Sequence, residues 1–308
     1  MTRLPLITGA TGFAGGHLLA YLSSRGIPAH AWGHRSKPAP GDRAATWTAV
    51  DLLDRRAVRA ALDASRPSAI YHCAGVADVH GTWSAPAHAL RVNAVGTHYL
   101  LEAARDLELG VRVLVTGSAL VYRQSLEPIT EDHPIGPATP YGVSKLAQEM
   151  TASESAIDTL LARPFNHAGP GQSPAYATSA FAQQIAEIEA GRRDAVLRVG
   201  NLDAKRDITD VRDTVRAYHA LVEHGHVRRP YNVCSGRTYT MRALLDTLLS
   251  LARVRVRVEI DPARLRPSDT PVVLGSHARL TADTGWEPTI PIEQTLADLL
   301  DDWRARVT

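Results

Sequence analysis

Leu4-Pro5-Leu6-Ile7-Thr8-Gly9-Ala10-Thr11-Gly12-Phe13-Ala14-Gly15 decides the fold. Its first five residues read as a short apolar strand, and a helical pattern runs on over 14–24. Between them the glycines stand at Gly-x-x-Gly-x-x-Gly spacing. Glycine is needed where a chain turns tightly out of a strand and lets its backbone approach a pyrophosphate. The next helix then presents free N–H groups and a partial positive charge to that anion. A glycine trio alone is a weak signal. The strand before it and the helix after it make it a dinucleotide-binding signal. Gly9, Thr11, Gly12, Phe13, Ala14 and Gly15 are the candidate cofactor contacts of this turn.

The same alternation continues outward. Strand-like runs fall at 29–33, 46–50, 69–73, 111–116 and 159–162, with helical stretches near 55–65, 85–105 and 141–155. Continuous apolar strands alternating with helices predict a parallel sheet covered on both faces. The fold class is therefore α/β, a doubly wound parallel sheet of Rossmann type. The pattern loosens after Arg163. Residues 166–174 are rich in Gly and Pro and read as a loop. Helices are expected near 179–190, 210–223 with Asp210 as N-cap, 241–252 with Thr240 as N-cap, and 292–306. Strands are expected at 196–199, 231–234 and 253–259, the last from alternating Arg and Val. This second region packs directly on the first and encloses a cleft.

The 308 residues carry 34 Lys and Arg against 32 Asp and Glu, a formal charge of +2. That excess is too small for a nucleic-acid or anionic-membrane footprint, so any cationic site must be local. No apolar run approaches a bilayer span, so no membrane partner is expected. The first strand starts so near Met1 that no room is left for a signal peptide. Two cysteines, Cys73 and Cys234, lie in apolar strand ends without metal spacing, and behave as small hydrophobes in a reducing cytoplasm. The thirteen histidines show no metal pattern.

The end of the second strand selects the cofactor. A free ribose usually meets an acid about twenty residues beyond the glycines. Here the chain reads Gly33-His34-Arg35-Ser36-Lys37, with no carboxylate. Arg35 and Ser36 suit a 2′-phosphate through charge-assisted hydrogen bonds. NADP(H) is favoured, with NAD(H) possible. Asp51 and Leu52 follow the third strand, where a carboxylate can accept from an adenine amino group or simply sit in solvent.

Tyr141-Gly142-Val143-Ser144-Lys145 opens a helical stretch after Pro140. Residues i and i+4 share a helix face, so Lys145 stands beside Tyr141 and is expected to lower its phenol pKa. Tyr141 becomes a candidate proton donor to a carbonyl. Ser118, in Thr116-Gly117-Ser118, lies at a strand's carboxyl end, where ligands sit in such sheets. Its hydroxyl is placed to hold the same carbonyl oxygen.

Together Gly9–Gly15, Asp51, His72-Cys73-Ala74-Gly75, Asn93, Ser118, Tyr141 and Lys145 resemble the extended short-chain dehydrogenases/reductases, over nearly the whole chain. The resemblance implies Ser118, Tyr141 and Lys145 as the catalytic trio, with Lys145 also holding the nicotinamide ribose. It adds Ala74 and Gly75 to the cofactor contacts. It implies a cofactor domain over 1–165, rejoined by 207–235, and a smaller C-terminal α/β substrate domain over most of 166–308. It also implies a homodimer packed through helices 85–105 and 141–155. Asn166, in Arg163-Pro164-Phe165-Asn166-His167, matches the residue that binds a nucleotide-sugar diphosphate. The segments 166–172, 200–207 and 264–269 are similar to members acting on GDP-mannose derivatives. Lys205, Arg206 and Arg266 can supply cations to a diphosphate, and Asp269 can accept from a ribose hydroxyl; a surface ion-pair role stays open for Lys205 and Asp269.

The residues after Ser118 separate the chemistries. A 4,6-dehydratase removes water and needs a further acid and base. Dehydratase relatives place an acid two positions after the catalytic Ser or Thr, and the epimerising GDP-fucose synthases place a reactive cysteine there. This chain has Ala119 and Leu120. The simplest chemistry left is the transfer of one hydride and one proton, and the resemblance implies reduction of the C4 ketone of GDP-4-keto-6-deoxy-D-mannose by NADPH, giving GDP-D-rhamnose. A nucleotide-sugar 4-epimerase, a 4,6-dehydratase and a non-catalytic NADP(H) sensor are the alternatives.

Overall fold

A computed structural model describes residues 3–34, 45–265 and 270–307. The first half lays down strands β1 (Leu6–Thr8), β2 (Ala29–Gly33), β3 (Ala45–Ala49), β4 (Ala69–His72), β5 (Arg112–Thr116) and β6 (Asp158–Pro164). Helices α1 (Phe13–Ser24), α2 (Arg55–Ser65), α3 (Gly81–Ser84), α4 (Pro86–Leu90), α5 (Gly96–Asp106) and α6 (Pro140–Ser153) connect them. Further along come β7 (Asn166–Ala168), α7 (Ala177–Glu189), β8 (Val196–Val199), β9 (Lys205–Asp210), α8 (Val211–His224) and β10 (Pro230–Val233). The chain ends with β11 (Thr238–Thr240), α9 (Met241–Ser250), β12 (Arg257–Ile260), β13 (Val272–Val273), α10 (Ala278–Thr284) and α11 (Ile292–Val307).

Seven parallel strands form the main sheet in the order β10-β6-β5-β4-β1-β2-β3. Strand order reverses at β1, so a crevice opens at the carboxyl ends of β1 and β4, where such sheets take their ligands. Every residue of β1 is buried, as a strand covered on both faces must be. Leu18 and Leu22 of α1 and Val215 and Leu221 of α8 cover one face. Val58 and Leu62 of α2, Leu100 and Leu101 of α5 and Ala152 of α6 belong to the core on the other.

A smaller sheet is built around β9, which pairs in parallel with β7 and β13 and antiparallel with β11. β8 and β12 form a separate parallel pair. Phe181, Leu197, Leu245, Leu299 and Trp303 gather α7, α9 and α11 into one apolar cluster beside them. Asp210 caps α8 by accepting from the Arg212 amide at 2.7 Å, and Thr240 caps α9 through the Ala243 amide at 3.0 Å. Both stand where the sequence places an N-cap.

Several elements differ from the sequence reading, among them β7 (Asn166–Ala168), a strand where 166–174 reads as a loop. The helix expected over 85–105 is split by a π-helical turn, Arg91–Val95, between α4 and α5. The turn carries Asn93, whose amide bridges the Val76 N–H and the Ser144 hydroxyl. The strand expected at 253–259 begins only at Arg257, because the Arg253 amide donates to Glu189 rather than to a ladder. The segment 205–210, for which the sequence pattern predicts no element, is a strand with a fully buried Asp207.

Candidate functional site

The glycine turn follows directly from β1. Gly9 has φ +67°, and a Cβ there would lie 2.7 Å from the Ala74 backbone. At Gly15 a Cβ would overlap the Gly9 carbonyl. Both positions therefore require glycine, which lets α1 start tight against the turn. Thr11 and Gly12 are exposed, with Gly12 at the N-cap of α1. The first-turn N–H groups of α1 thus open onto the crevice, the arrangement that suits a pyrophosphate. Phe13 stacks on His167 with ring centroids 5.7 Å apart, bringing β7 against this turn.

The turn's neighbours sit at adjacent strand ends. Asp51 accepts from the Leu53 amide at 2.9 Å and is half exposed, 3.9 Å from His34 Nδ1. Leu52 is buried against Gly96. A Cβ on Gly75 would meet Asn93 Oδ1 at 2.7 Å and Lys145 Nζ at 3.4 Å, so the backbone after Ala74 runs beside the lysine. The Gly9 turn, Ala74, Gly75 and Lys145 thereby line one continuous path. Arg35 and Ser36 lie outside the described residues.

Ser118 and Tyr141 meet at the end of β5. Thr139 caps α6 by accepting from the Gly142 amide at 3.0 Å, and Pro140 fits the first helical position, where no N–H is needed. Ser118 accepts from the Leu120 amide at 3.1 Å, which holds the turn Ala119–Val121 against the start of α6. Ser118 also stands near enough to the Tyr141 phenol to lower its pKa. Lys145 Nζ lies 5.9 Å from the Tyr141 ring centroid. It donates to the Thr116 carbonyl and to Gln148 Oε1, each at 2.9 Å.

The electrostatics correct one expectation. The Tyr141 phenol is held well above its ordinary range, because burial outweighs everything else; Tyr176 adds to the rise and the nearby Ser118 hydroxyl opposes it. Burial pushes Lys145 down to about 8. The lysine is thus still an ammonium near neutral pH, but it does not make the phenol acidic. Tyr141 is instead kept protonated, the state in which it can donate.

Of the remaining sequence candidates, Asn166, Lys205 and Arg206 lie on the paired strands β7 and β9. Asn166 is exposed on β7, opposite Ile208 of β9. Lys205 and Arg206 are neighbours on β9, so their side chains leave opposite faces of the strand. Lys205 is exposed, whereas Arg206 donates to the carbonyls of Lys205 and Thr270 at 2.9 and 2.7 Å. Arg266 and Asp269 lie outside the described residues. Tyr176 was not foreseen: its hydroxyl donates to the Ala77 carbonyl at 3.0 Å, reaching from the start of α7 across to the segment after β4. A lone Tyr after a Gly- and Pro-rich loop carries no local pattern that would have found it. Among the described residues no group of three or more His, Cys, Asp or Glu could hold a metal, and no helix is long and apolar enough to cross a membrane.

Comparison with known proteins agrees with this geometry. The family model described as GDP-mannose 4,6 dehydratase matches residues 6–299. GDP-6-deoxy-D-mannose reductase of Pseudomonas aeruginosa is 38% identical over 314 aligned residues, covering 100% of this chain and 99% of the relative. The solved structure of RMD from Pseudomonas aeruginosa complexed with NADPH superposes with a TM-score of 0.87 at 36% identity, covering 99% of this chain and 100% of that one. A putative epimerase from Burkholderia cenocepacia superposes with a TM-score of 0.85 at 34% identity, with 99% of each chain covered. The chain belongs to the GDP-mannose 4,6 dehydratase family of extended short-chain dehydrogenases/reductases.

Proposed function

We propose that this chain reduces the C4 ketone of GDP-4-keto-6-deoxy-D-mannose to GDP-D-rhamnose with NADPH. One observation carries the reading: the Ser118 hydroxyl and a phenol kept protonated by burial, Tyr141, face each other where β5 ends and α6 begins. That pair can hold one carbonyl oxygen and give it one proton. Bound NADPH supplies the hydride. Tyr141 delivers the proton to the forming alkoxide, and Ser118 donates a hydrogen bond to the same oxygen. Lys145 orients the nicotinamide ribose. Ala119 and Leu120, beside Ser118, have no proton to move, which favours reduction over dehydration.

The glycine turn, Asp51, Leu52, Ala74 and Gly75 form the cofactor side, with Arg35 and Ser36 taken as the 2′-phosphate contacts. Residues 1–165 and 207–235 make up the cofactor domain in this reading. Asn166, Arg206 and Arg266 hold the diphosphate, and Lys205 and Asp269 stand beside them. Support for NADPH comes from the relative solved with it and from the acid-free end of β2.

The test is to incubate the purified protein with the enzymatically made keto sugar and either NADPH or NADH. Stoichiometric loss of the nicotinamide absorbance with a rhamno product supports the reading. Interconversion of two sugars without that loss means a 4-epimerase. Loss of water from a GDP-hexose means a 4,6-dehydratase. Cofactor binding with no turnover means a sensor.

The assembly is read as a homodimer in the cytoplasm. Trp83, Leu90, Val143 and Met150 are exposed on α3, α4 and α6, and a shallow apolar groove runs between Pro86, Leu90, Pro140 and Val143. A second copy packed on this face would cover them. Light scattering at the mass of two chains, reduced to one by Met150→Glu, is the expected result. Both cysteines are free, as a reducing compartment requires.

A further inference from the structure

The trio leaves unexplained what holds Lys145 in place. Two oxygens receive its ammonium, the Thr116 carbonyl and Gln148 Oε1. Gln148 is fully buried, three residues further along α6. A glutamine amide can present either end, so something must fix which end faces the lysine.

That restraint lies at the other end of the amide. Gln148 Nε2 donates to Thr97 Oγ1 of α5 at 3.0 Å. Thr97 gives its only hydroxyl proton to the Asn93 carbonyl at 2.6 Å, so its oxygen is an acceptor towards everything else. His72, at the end of β4, places Nε2 2.8 Å from that oxygen. The ring proton is therefore on Nε2. His72 Nδ1 in turn accepts from the Thr8 hydroxyl of β1 at 2.8 Å, and Thr8 Oγ1 accepts from the Ala74 amide at 3.2 Å. Thr8, His72, Thr97 and Gln148 are each at most 1% exposed. Turning the Gln148 amide round would set its NH2 against the ammonium and its oxygen against an acceptor, losing two buried hydrogen bonds at once.

We propose that Gln148 is a positioning residue for Lys145, its amide locked by Thr97 and His72, so that the strand below the glycine turn and the lysine share one rigid frame. The line is a brace and not a proton wire. An amide passes no proton, and the Thr97 hydroxyl points away to Asn93. The inference deepens the reading of Lys145 as the group that orients the cofactor ribose, and rests on it.

The charge around Lys145 shows why an amide oxygen matters there. Tyr141 faces it from its own helix, His72 and Cys73 from the end of β4, and the Thr116 carbonyl from β5. His72 is kept neutral and Cys73 is kept a thiol, both mainly by burial. Among the described residues no carboxylate pairs with the ammonium, so neutral oxygens carry it. Losing one of two such hydrogen bonds to a buried charge shifts its titration by about one pH unit.

The experiment follows NADPH binding by fluorescence as a function of pH, beside the pH profile of kcat with the keto sugar. Gln148→Met, which keeps length but removes the acceptor, is expected to move the alkaline loss of NADPH affinity down by about one pH unit. Gln148→Glu moves it up. The sugar KM changes little in both. Thr97→Val, which unlocks the amide, behaves like Gln148→Met, and Thr97→Ser restores the wild-type midpoint. Wild-type midpoints in Gln148→Met overturn the proposal, whether or not Thr97→Val folds. If the wild type binds NADPH but reduces no keto sugar, the proposed reaction fails while the binding titrations still decide the role of Gln148.

Discussion

The backbone carbonyl of Leu120 fills the space that a Cβ on Gly142 would need. The turn carrying Ser118 can therefore lie directly against the first turn of α6, and this contact brings Ser118 to Tyr141. A side chain at 142 meets rigid backbone, so either the turn or the helix must shift. Gly142→Ala is expected to lower kcat by about a hundredfold, the scale of a displacement near 1 Å at reacting groups, with NADPH affinity changed far less. Steady-state kinetics beside fluorescence binding separate the two; unchanged kcat would remove Gly142 from the argument.

Tyr141→Phe deletes the proton and keeps the packing. Turnover is expected to fall by at least about a hundredfold, with folding and NADPH binding retained. The pH profile follows from the two shifts. Burial holds the phenol protonated well above neutral, so Tyr141 sets no limb in the usual range. Lys145, pushed down to about 8, loses its charge as pH rises through that value. Wild-type activity should hold through neutrality and decline above pH 8. A profile still flat at pH 9.5 would contradict the role given to Lys145.

The glycine turn offers an independent check on the cofactor side. Gly9 combines φ +67° with a Cβ position 2.7 Å from the Ala74 backbone. Gly9→Ala therefore suffers both left-handed strain, about 1–2 kcal/mol, and a clash that pushes the turn away from β4. NADPH affinity should fall at least tenfold, read by fluorescence titration. Gly26→Ala is the control, since φ there is +70° with nothing within 4 Å of the added Cβ. It carries the strain without the clash and should leave binding intact.

What the sequence made legible was local. A strand, a glycine turn and a helix within Leu6–Ser24 fix their own meaning, as do Tyr141 and Lys145 one helical turn apart. The features it hid depend on residues distant in the chain. The π turn at Arg91–Val95 serves Asn93, which reaches Val76 and Ser144, 17 and 51 residues away. Nothing in the local sequence marks Asp207 as buried, yet in the interior it accepts from Ser235, Gly236 and Gly275. No spacing rule encodes four donors from two other segments. The phenol's pKa was misjudged for the same reason. The i,i+4 spacing announces Lys145, whereas the burial that outweighs it is a property of the packed cleft.

Glu149 and Arg163 tie α6 to β6 and can be tested by stability alone. Their side chains are 10% and 6% exposed, and Arg163 Nε donates to Glu149 Oε2 at 2.9 Å. Arg163 also donates to the Tyr122 hydroxyl at 2.7 Å and lies over that ring. Glu149→Ala leaves a buried guanidinium without its carboxylate, which costs about 3–5 kcal/mol. Urea denaturation should show that loss in midpoint, with Glu149→Gln less damaged because it keeps an acceptor. A loss below about 1 kcal/mol in Glu149→Ala would place the pair among weak surface bridges.

His72 predicts how stability responds to acid. Burial lowers its pKa from the ordinary 6.5 to about 3, with the Lys145 charge adding to the shift. Between those values the unfolded chain binds a proton that the folded chain refuses. The unfolded state then holds more protons, so stability falls as pH drops, by about 1.4 kcal/mol per unit. From pH 6.5 to pH 5 this single residue should remove about 2 kcal/mol. His30, His167 and His219 are also lowered by burial and act in the same direction, so the wild-type slope contains them too. His72→Gln isolates the contribution: it is less stable than wild type at pH 7, and the gap narrows by about 2 kcal/mol at pH 5. Urea denaturation at the two pH values measures it. Parallel slopes in the two proteins would mean that His72 already carries a proton in the folded chain, and the Nε2–H to Thr97 and Nδ1 to Thr8 assignment would fall with it.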